Sequence, residues 1–289
     1  MKKGILLCLL FFLAACSTTS VAATLPTDKF LIIAHRGASA YAPEHSLLSY
    51  GLAVQMKADY IELDIHMTKD GELVSTHDPY VHLPHGKKKI AQMNFQELKN
   101  TQLETDYDGK LPVSFPESID PLRIVSTEEV FTYFQDDVNY YIELKTPAAY
   151  PGIEDALLGQ LREFGLLSEE EDMPKVILQS FDSKSLKKIF EQEPGIPLIQ
   201  LYSAKNESML TKKRLRKVAD YASGIGIDKT IVTEDLLTLA HSEDLHVHPF
   251  TVNDEDEIRR MIEMGANGIF TDVPDVAVKV LEEMRGDDR

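Results

Sequence analysis

The 289-residue sequence is poor in thiols, in positive charge and in long apolar runs, and it contains no tryptophan. Its two cysteines, Cys8 and Cys16, both fall in the first sixteen residues, so the remainder has no thiol for a disulfide and must fold on core burial. Thirty Lys and Arg against 47 Asp and Glu give a formal charge of −17, which argues against a nucleic acid partner held through its backbone. An anionic small molecule is repelled for the same reason. A site for one therefore needs a local positive centre, either a metal ion or converging Arg and Lys. No segment is low in complexity, and no internal repeat is visible beyond an alternation of strand-like and helix-like stretches.

Lys2 and Lys3 precede an apolar run at residues 5–13 that is too short to span a bilayer, which is the pattern of an export signal. The stretch Leu13-Ala14-Ala15-Cys16 at its end resembles the lipobox of bacterial lipoproteins. That resemblance implies cleavage before Cys16 and a lipid on its sulfur, with ordinary cleavage after Val21-Ala22-Ala23 as the alternative. Residues 1–15 are then a signal, 16–28 a tether and 29–285 one domain. The expectation is an exported periplasmic or cell-envelope lipoprotein that touches a membrane only through its anchor. Nothing in the sequence speaks to oligomeric state.

Short β-branched runs at 30–34, 60–65, 140–144, 176–180, 198–202, 224–227, 247–252 and 268–271 alternate with amphipathic stretches. The latter fall at 46–56, 127–134, 153–164, 183–191, 212–221, 234–241, 255–264 and 275–284. Eight strand-helix units predict a parallel sheet, and its closed form is the (β/α)8 TIM barrel of about 250 residues. After the second strand the stretch 67–123 is too long for a loop and reads as an insertion. It opens with Thr68-Lys69-Asp70-Gly71, a turn signal that returns 72–76 as an extra strand, and it carries a short helix near 95–100.

In such a barrel the reacting groups gather at the carboxyl ends of the strands. The first predicted strand ends in His35-Arg36-Gly37, the second carries Glu62 and Asp64, the extra strand ends in His77-Asp78, and the third carries Glu143 and Lys145. Glu62 and Asp64 are two apart on a strand and point the same way, as do Glu143 and Lys145. Three buried carboxylates stay ionised together only beside a cation, and oxygen ligands favour magnesium or calcium over zinc.

His35-Arg36-Gly37, Pro43-Glu44-His45-Ser46, Glu62-Leu63-Asp64, Thr68-Lys69-Asp70-Gly71, His77-Asp78 and Glu143-Leu144-Lys145 resemble, in order and spacing, the glycerophosphodiester phosphodiesterase signature. Gln179-Ser180-Phe181, Thr251-Val252-Asn253 and the stretch 268–274 continue the likeness to the last strand. The resemblance implies a TIM barrel and one divalent metal ion, Ca2+ or Mg2+, held by Glu62, Asp64 and Glu143. It further implies His35 and His77 as general acid and base, Arg36 and Lys145 on the phosphate, and a small glycerophosphodiester substrate. The family's frequent Pro-Glu-Asn-Thr reads Pro43-Glu44-His45-Ser46 here, and Phe250 stands where a tryptophan is common; both bear on substrate preference. Glu44 is expected either to orient His35 or Arg36 or to form a plain salt bridge.

Other features read as structure. His246 and His248 are expected to be satisfied strand histidines, and Gly224-Ile225-Gly226 a crowded strand. His82, His85 and Lys87 to Lys89 are expected in a solvated loop, and 168–172 in an acidic one. Two further functions compete with the diesterase: a phospholipase D-like or lysophospholipase D-like activity on lipids, and a non-catalytic surface-binding lipoprotein.

Overall fold

Strand β1 (Leu31–Ala34) is a run of four buried apolar residues, a pattern that only a strand covered on both faces can satisfy. The same logic governs β2 (Tyr60–Met67), which continues after the helix α1 (Leu47–Gln55). The chain then runs through β3 (Leu73–Ser75), β4 (Tyr80–Leu83), β5 (Gly86–Lys89), α2 (Phe95–Lys99) and α3 (Thr127–Phe134). Next come β6 (Tyr140–Leu144), α4 (Ile153–Glu163), β7 (Val176–Ser180), α5 (Ser183–Gln192), β8 (Leu198–Tyr202) and α6 (Lys212–Ala219). It ends with β9 (Gly224–Asp228), α7 (Glu234–His241), β10 (His246–Phe250), α8 (Glu255–Glu263), β11 (Gly268–Thr271) and α9 (Pro274–Asp287). The computed structural model describes residues 22–83, 86–101, 120, 122–167 and 173–287. The expected signal, Cys16, His85, the stretches 102–119 and 168–172, and Pro121 lie outside the described residues.

The sheet order is β10-β9-β8-β7-β6-β2-β1-β11, with every neighbouring pair parallel. The two ends meet, since Asn267 N donates to Val247 O (3.0 Å) and Val252 N to Phe270 O (2.8 Å). Eight parallel strands with helices between them thus form the expected (β/α)8 barrel. Helices start on side-chain caps: Ser46, Ser126, Asp182, Thr211, Thr233 and Asp254 each accept from a first-turn backbone N–H. The larger apolar cluster lies between strands and helices and includes Leu48, Leu157, Ile189, Leu215, Ile258 and Val280.

Alternate strand residues fill the barrel itself: Ile33, Tyr60, Tyr141, Ile177, Ile199 and Phe270 form a second cluster. Across this interior the Tyr141 hydroxyl meets His248 Nδ1 at 2.9 Å. Gly224 is required beside them, because a Cβ there would sit 2.7 Å from the His246 carbonyl oxygen, so the crowded strand is as expected. The histidines are only partly satisfied: His246 Nδ1 and His248 Nε2 are buried without a partner among the described residues. Burial pushes both rings down, His246 to about 4 and His248 to about 3, so they sit neutral in the core.

Residues 22–28, expected as a tether, lie against the amino ends of the strands. Leu25 is 5% exposed within the inner cluster, and Ser223 Oγ donates to Ala23 O at 2.6 Å. The insertion opens as predicted. β3 pairs antiparallel with β2, and Thr68 Oγ1 donates to Asp70 Oδ1 (2.6 Å) across a turn that places Gly71 at φ +92°. The expected solvated loop at His82 and Lys87 to Lys89 is instead the β4–β5 hairpin. Its anchor is Val81, which packs with Ile90, Met93, Leu98 and Ile124 in a satellite core.

Leu25→Ala should lower the unfolding free energy by about 2–5 kcal/mol while leaving turnover unchanged. A denaturant midpoint equal to the wild type's would show that this side chain does not seal the barrel floor.

Candidate active site

All seven residues singled out by the sequence line one cavity of about 170 Å³: His35, Arg36, Glu62, Asp64, His77, Glu143 and Lys145. β2 sends Glu62 and Asp64 inward above Tyr60, and β6 sends Glu143 inward above Tyr141, by the two-residue alternation of strands. The register sets Asp64 beside Glu143 on the neighbouring strand. His35 and Arg36 come from the turn after β1, and His77 from the bend that follows β3. A cleft of about 570 Å³ beside α3 is larger, but its cations are paired, Lys99 with Glu129 at 2.6 Å and Arg123 with Asp120 at 3.4 Å.

The turn after β1 is held in a left-handed conformation at Arg36 (φ 58°) and Gly37 (φ 85°). A Cβ on Gly37 would lie 2.6 Å from the Ser49 carbonyl carbon, so both the φ and the close approach to α1 demand glycine. This geometry aims the Arg36 N–H at Glu62 Oε2 (2.8 Å). The guanidinium is gripped by Glu44 (2.6 Å), a salt bridge that fits either expectation for Glu44, and lies 3.6 Å from Asp64. Lys145 Nζ sits 3.2 Å from Glu143 and 3.5 Å from Asp64.

Both imidazoles are tied by Nδ1. His35 Nδ1 donates to Asp272 Oδ1 (2.7 Å), and its Nε2 accepts from Arg36 Nε (3.2 Å). Asp272 is itself clamped by Ser39 Oγ (2.9 Å) and Asn253 Nδ2 (2.6 Å). His77 Nδ1 pairs with Asp78 (3.1 Å), and its carbonyl is held by His66 Nε2 (3.1 Å). Asp272, Asn253 and His66 were given no role from the sequence. The one signal for the first two was their place in stretches at the ends of the last two strands.

Electrostatics divide the three acids. Burial pushes Glu62 well above the carboxylate range, and the charges of Asp64 and Glu143 push it further; burial and Asp64 do the same to Glu143. Burial opposes ionisation of Asp64 too, but a hydrogen bond from His45 and the Lys145 and Arg36 cations hold it well below. Burial lowers Lys145 and Arg36 less than the surrounding acids raise them, so both stay charged. His77 is lowered by burial and by Lys145 and Arg36. Asp272, despite burial, is drawn down to about 2 by His35, Asn253 and Ser39.

This donor set fits a hard divalent cation. Glu62, Asp64 and Glu143 offer buried oxygens to one cavity, and Gln179, whose Nε2 donates to Glu62 (3.2 Å), carries a buried Oε1 with no partner among the described residues. Among the described residues the donors that cluster within 4.8 Å of one another are nevertheless those of His45, Glu62 and Asp64. Sequence reasoning gave His45 no place in the site. Phe250 and Phe181, with ring centroids 6.4 Å apart, form the cavity's apolar wall.

The sequence model described as "Glycerophosphoryl diester phosphodiesterase family" matches residues 35–276, and the chain belongs to that family. A glycerophosphodiester phosphodiesterase of Bacillus subtilis (strain 168) is 36% identical over 271 residues, 93% of this chain and 92% of that protein. One of Bacillus altitudinis is 31% identical over 265 residues, covering 88% and 99%. Among solved structures, an Oleispira antarctica phosphodiesterase in complex with the product sn-glycerol-3-phosphate superposes with a TM-score of 0.70 at 22% identity, over 89% of this chain and 97% of that one. A glycerophosphodiester phosphodiesterase from Parabacteroides distasonis gives 0.70 at 20% identity, over 90% and 100%. At those identities the two structures speak for the fold.

Two outcomes test this geometry. Gly37→Ala should cut kcat/KM by on the order of a hundredfold by displacing His35 and Arg36, and an unaffected variant would show that the turn tolerates a side chain. The protonated Glu62 and Glu143 contribute stability below the ordinary carboxylate range, and it is lost as pH rises through their raised values; a divalent cation, which needs them ionised, offsets the loss. Calcium or magnesium should therefore raise Tm more at about pH 8 than at about pH 5, and an equal shift would count against carboxylate ligation.

Proposed function

We propose that the chain is a divalent-cation-dependent hydrolase of glycerophosphodiesters such as glycerophosphocholine or glycerophosphoethanolamine, releasing sn-glycerol 3-phosphate and an alcohol. The observation that carries this is the meeting of three buried carboxylates, two cations and two imidazoles in one cavity at the carboxyl ends of the strands. The names of the relatives, and the product bound in the Oleispira antarctica structure, support the substrate class.

Glu62, Asp64 and Glu143 would hold the ion, calcium or magnesium. When bound, the ion supplies charge neutralisation for the non-bridging phosphate oxygens. Arg36 and Lys145, already poised among these acids, bind the same oxygens and orient the phosphorus for in-line displacement. Breaking the P–O bond needs one proton taken from the attacking oxygen and one given to the leaving alkoxide. His35 and His77, each fixed through Nδ1, turn Nε2 to that exchange, and Asp272 keeps the His35 ring in the tautomer that leaves Nε2 unprotonated, an acceptor that Arg36 Nε now occupies. A cavity of about 170 Å³ suits a small polar diester better than an acylated lipid, since pockets that enclose larger organic ligands run to roughly 300–1,000 Å³. Lys2, Lys3 and the stretch ending in Cys16 support export as a lipoprotein, with the barrel domain following the tether.

Purified protein should release glycerol phosphate from glycerophosphocholine, lose that activity to a chelator and regain it with calcium or magnesium. His35→Ala or His77→Ala should lower turnover by on the order of a hundredfold or more with the circular dichroism spectrum unchanged. Chelator-insensitive turnover, or a fully active His35→Ala, would overturn this reading. Preference for a lysolipid would favour the lipid-directed alternative.

A further inference from the structure

His45 stands out among the buried polar residues. It is 3% exposed yet does not line the cavity that Glu62, Asp64 and Glu143 share. Its backbone adopts φ +55°, a left-handed conformation uncommon outside glycine and tolerated best by Asn, Asp and His. That conformation turns the ring inward, where Nε2 lies 3.0 Å from Asp64 Oδ2. Nδ1 lies 3.0 Å from the Tyr50 hydroxyl, which in turn lies 2.7 Å from Ser75 Oγ. Both hydroxyls belong to buried residues on α1 and β3, behind the cavity wall.

We propose that His45 is a positioning residue for Asp64 rather than a fourth ligand to the cation. Its Nε2–H donates to Asp64 Oδ2 and fixes the carboxylate plane, leaving Oδ1, the oxygen 3.5 Å from Lys145, to face the ion. The tautomer this needs is set from behind: the Tyr50 hydroxyl donates to Nδ1 and accepts from Ser75 Oγ. His45, Glu62 and Asp64 cluster so closely because one of the three is a buttress standing on the dry side of another. The inference rests on the reading of Glu62, Asp64 and Glu143 as cation ligands given above.

The test is calorimetric titration of calcium into wild type, Glu62→Gln, His45→Phe, His45→Gln and Tyr50→Phe, with pulsed EPR of the manganese-loaded wild type and His45→Gln. His45→Phe should weaken binding about 10- to 100-fold, with kcat restored by excess cation. His45→Gln, which keeps an N–H donor, should recover most of the affinity. Tyr50→Phe should weaken binding several-fold. No directly bound imidazole nitrogen that disappears in manganese-loaded His45→Gln is expected, and a coupling present in the wild type and lost in that variant would make His45 a ligand and overturn the assignment. Wild type that binds calcium while His45→Phe binds it equally well overturns the assignment alone; should His45→Phe fail to fold, unchanged affinity in Tyr50→Phe does so. Wild type that takes up neither calcium nor manganese, like Glu62→Gln, overturns the cation reading of the site and the assignment with it.

Discussion

Three carboxylates buried side by side repel one another, and most of the architecture around the cavity is arranged to contain that repulsion. Glu62 and Glu143 are driven toward protonation, whereas Asp64 is kept ionised because His45, Lys145 and Arg36 converge on it. Each of those partners depends on something further out. Arg36 needs Glu44 and the left-handed turn at Gly37, Lys145 needs the end of β6, and His45 needs Tyr50 and Ser75. The parallel barrel makes the arrangement possible, since adjacent strands in register bring Asp64 and Glu143 to one level without distortion. Protonation of Glu62 and Glu143 relieves the cost of burying like charges, and a bound cation would relieve it with all three acids ionised, so the fold and the proposed chemistry rest on the same electrostatic balance.

Much of this was legible in the sequence because it obeys short periods. Eight apolar runs separated by amphipathic stretches gave the barrel, and the two-residue spacing in Glu62-Leu63-Asp64 and Glu143-Leu144-Lys145 placed four charged groups on the inner face. The turn at Thr68 to Gly71 gave the β2–β3 hairpin, since its side chains specify it locally. Gly224 and Gly226 were correctly read as crowding, a property of short-range sterics against the neighbouring strand.

What escaped was non-local. His45 follows Glu44 in an ordinary helix-entry stretch, and nothing in its neighbours announces a ring turned back onto Asp64, nineteen residues away. Asp272 meets His35 across 237 positions, joined only when β11 closes on β1. The β4–β5 hairpin reads as loop because three consecutive lysines mask the inward Val81 and Leu83 that anchor it. Leu25 lay in a stretch whose composition marks a tether, and only the open amino end of the barrel gives one leucine a place to bury.

That plug has a directional consequence. Residues 22–28 close the end of the barrel opposite the cavity, so the acids and imidazoles open at the other end. Diesters reach the acids and imidazoles from the mouth, while the plug of Leu25 lies on the blind side.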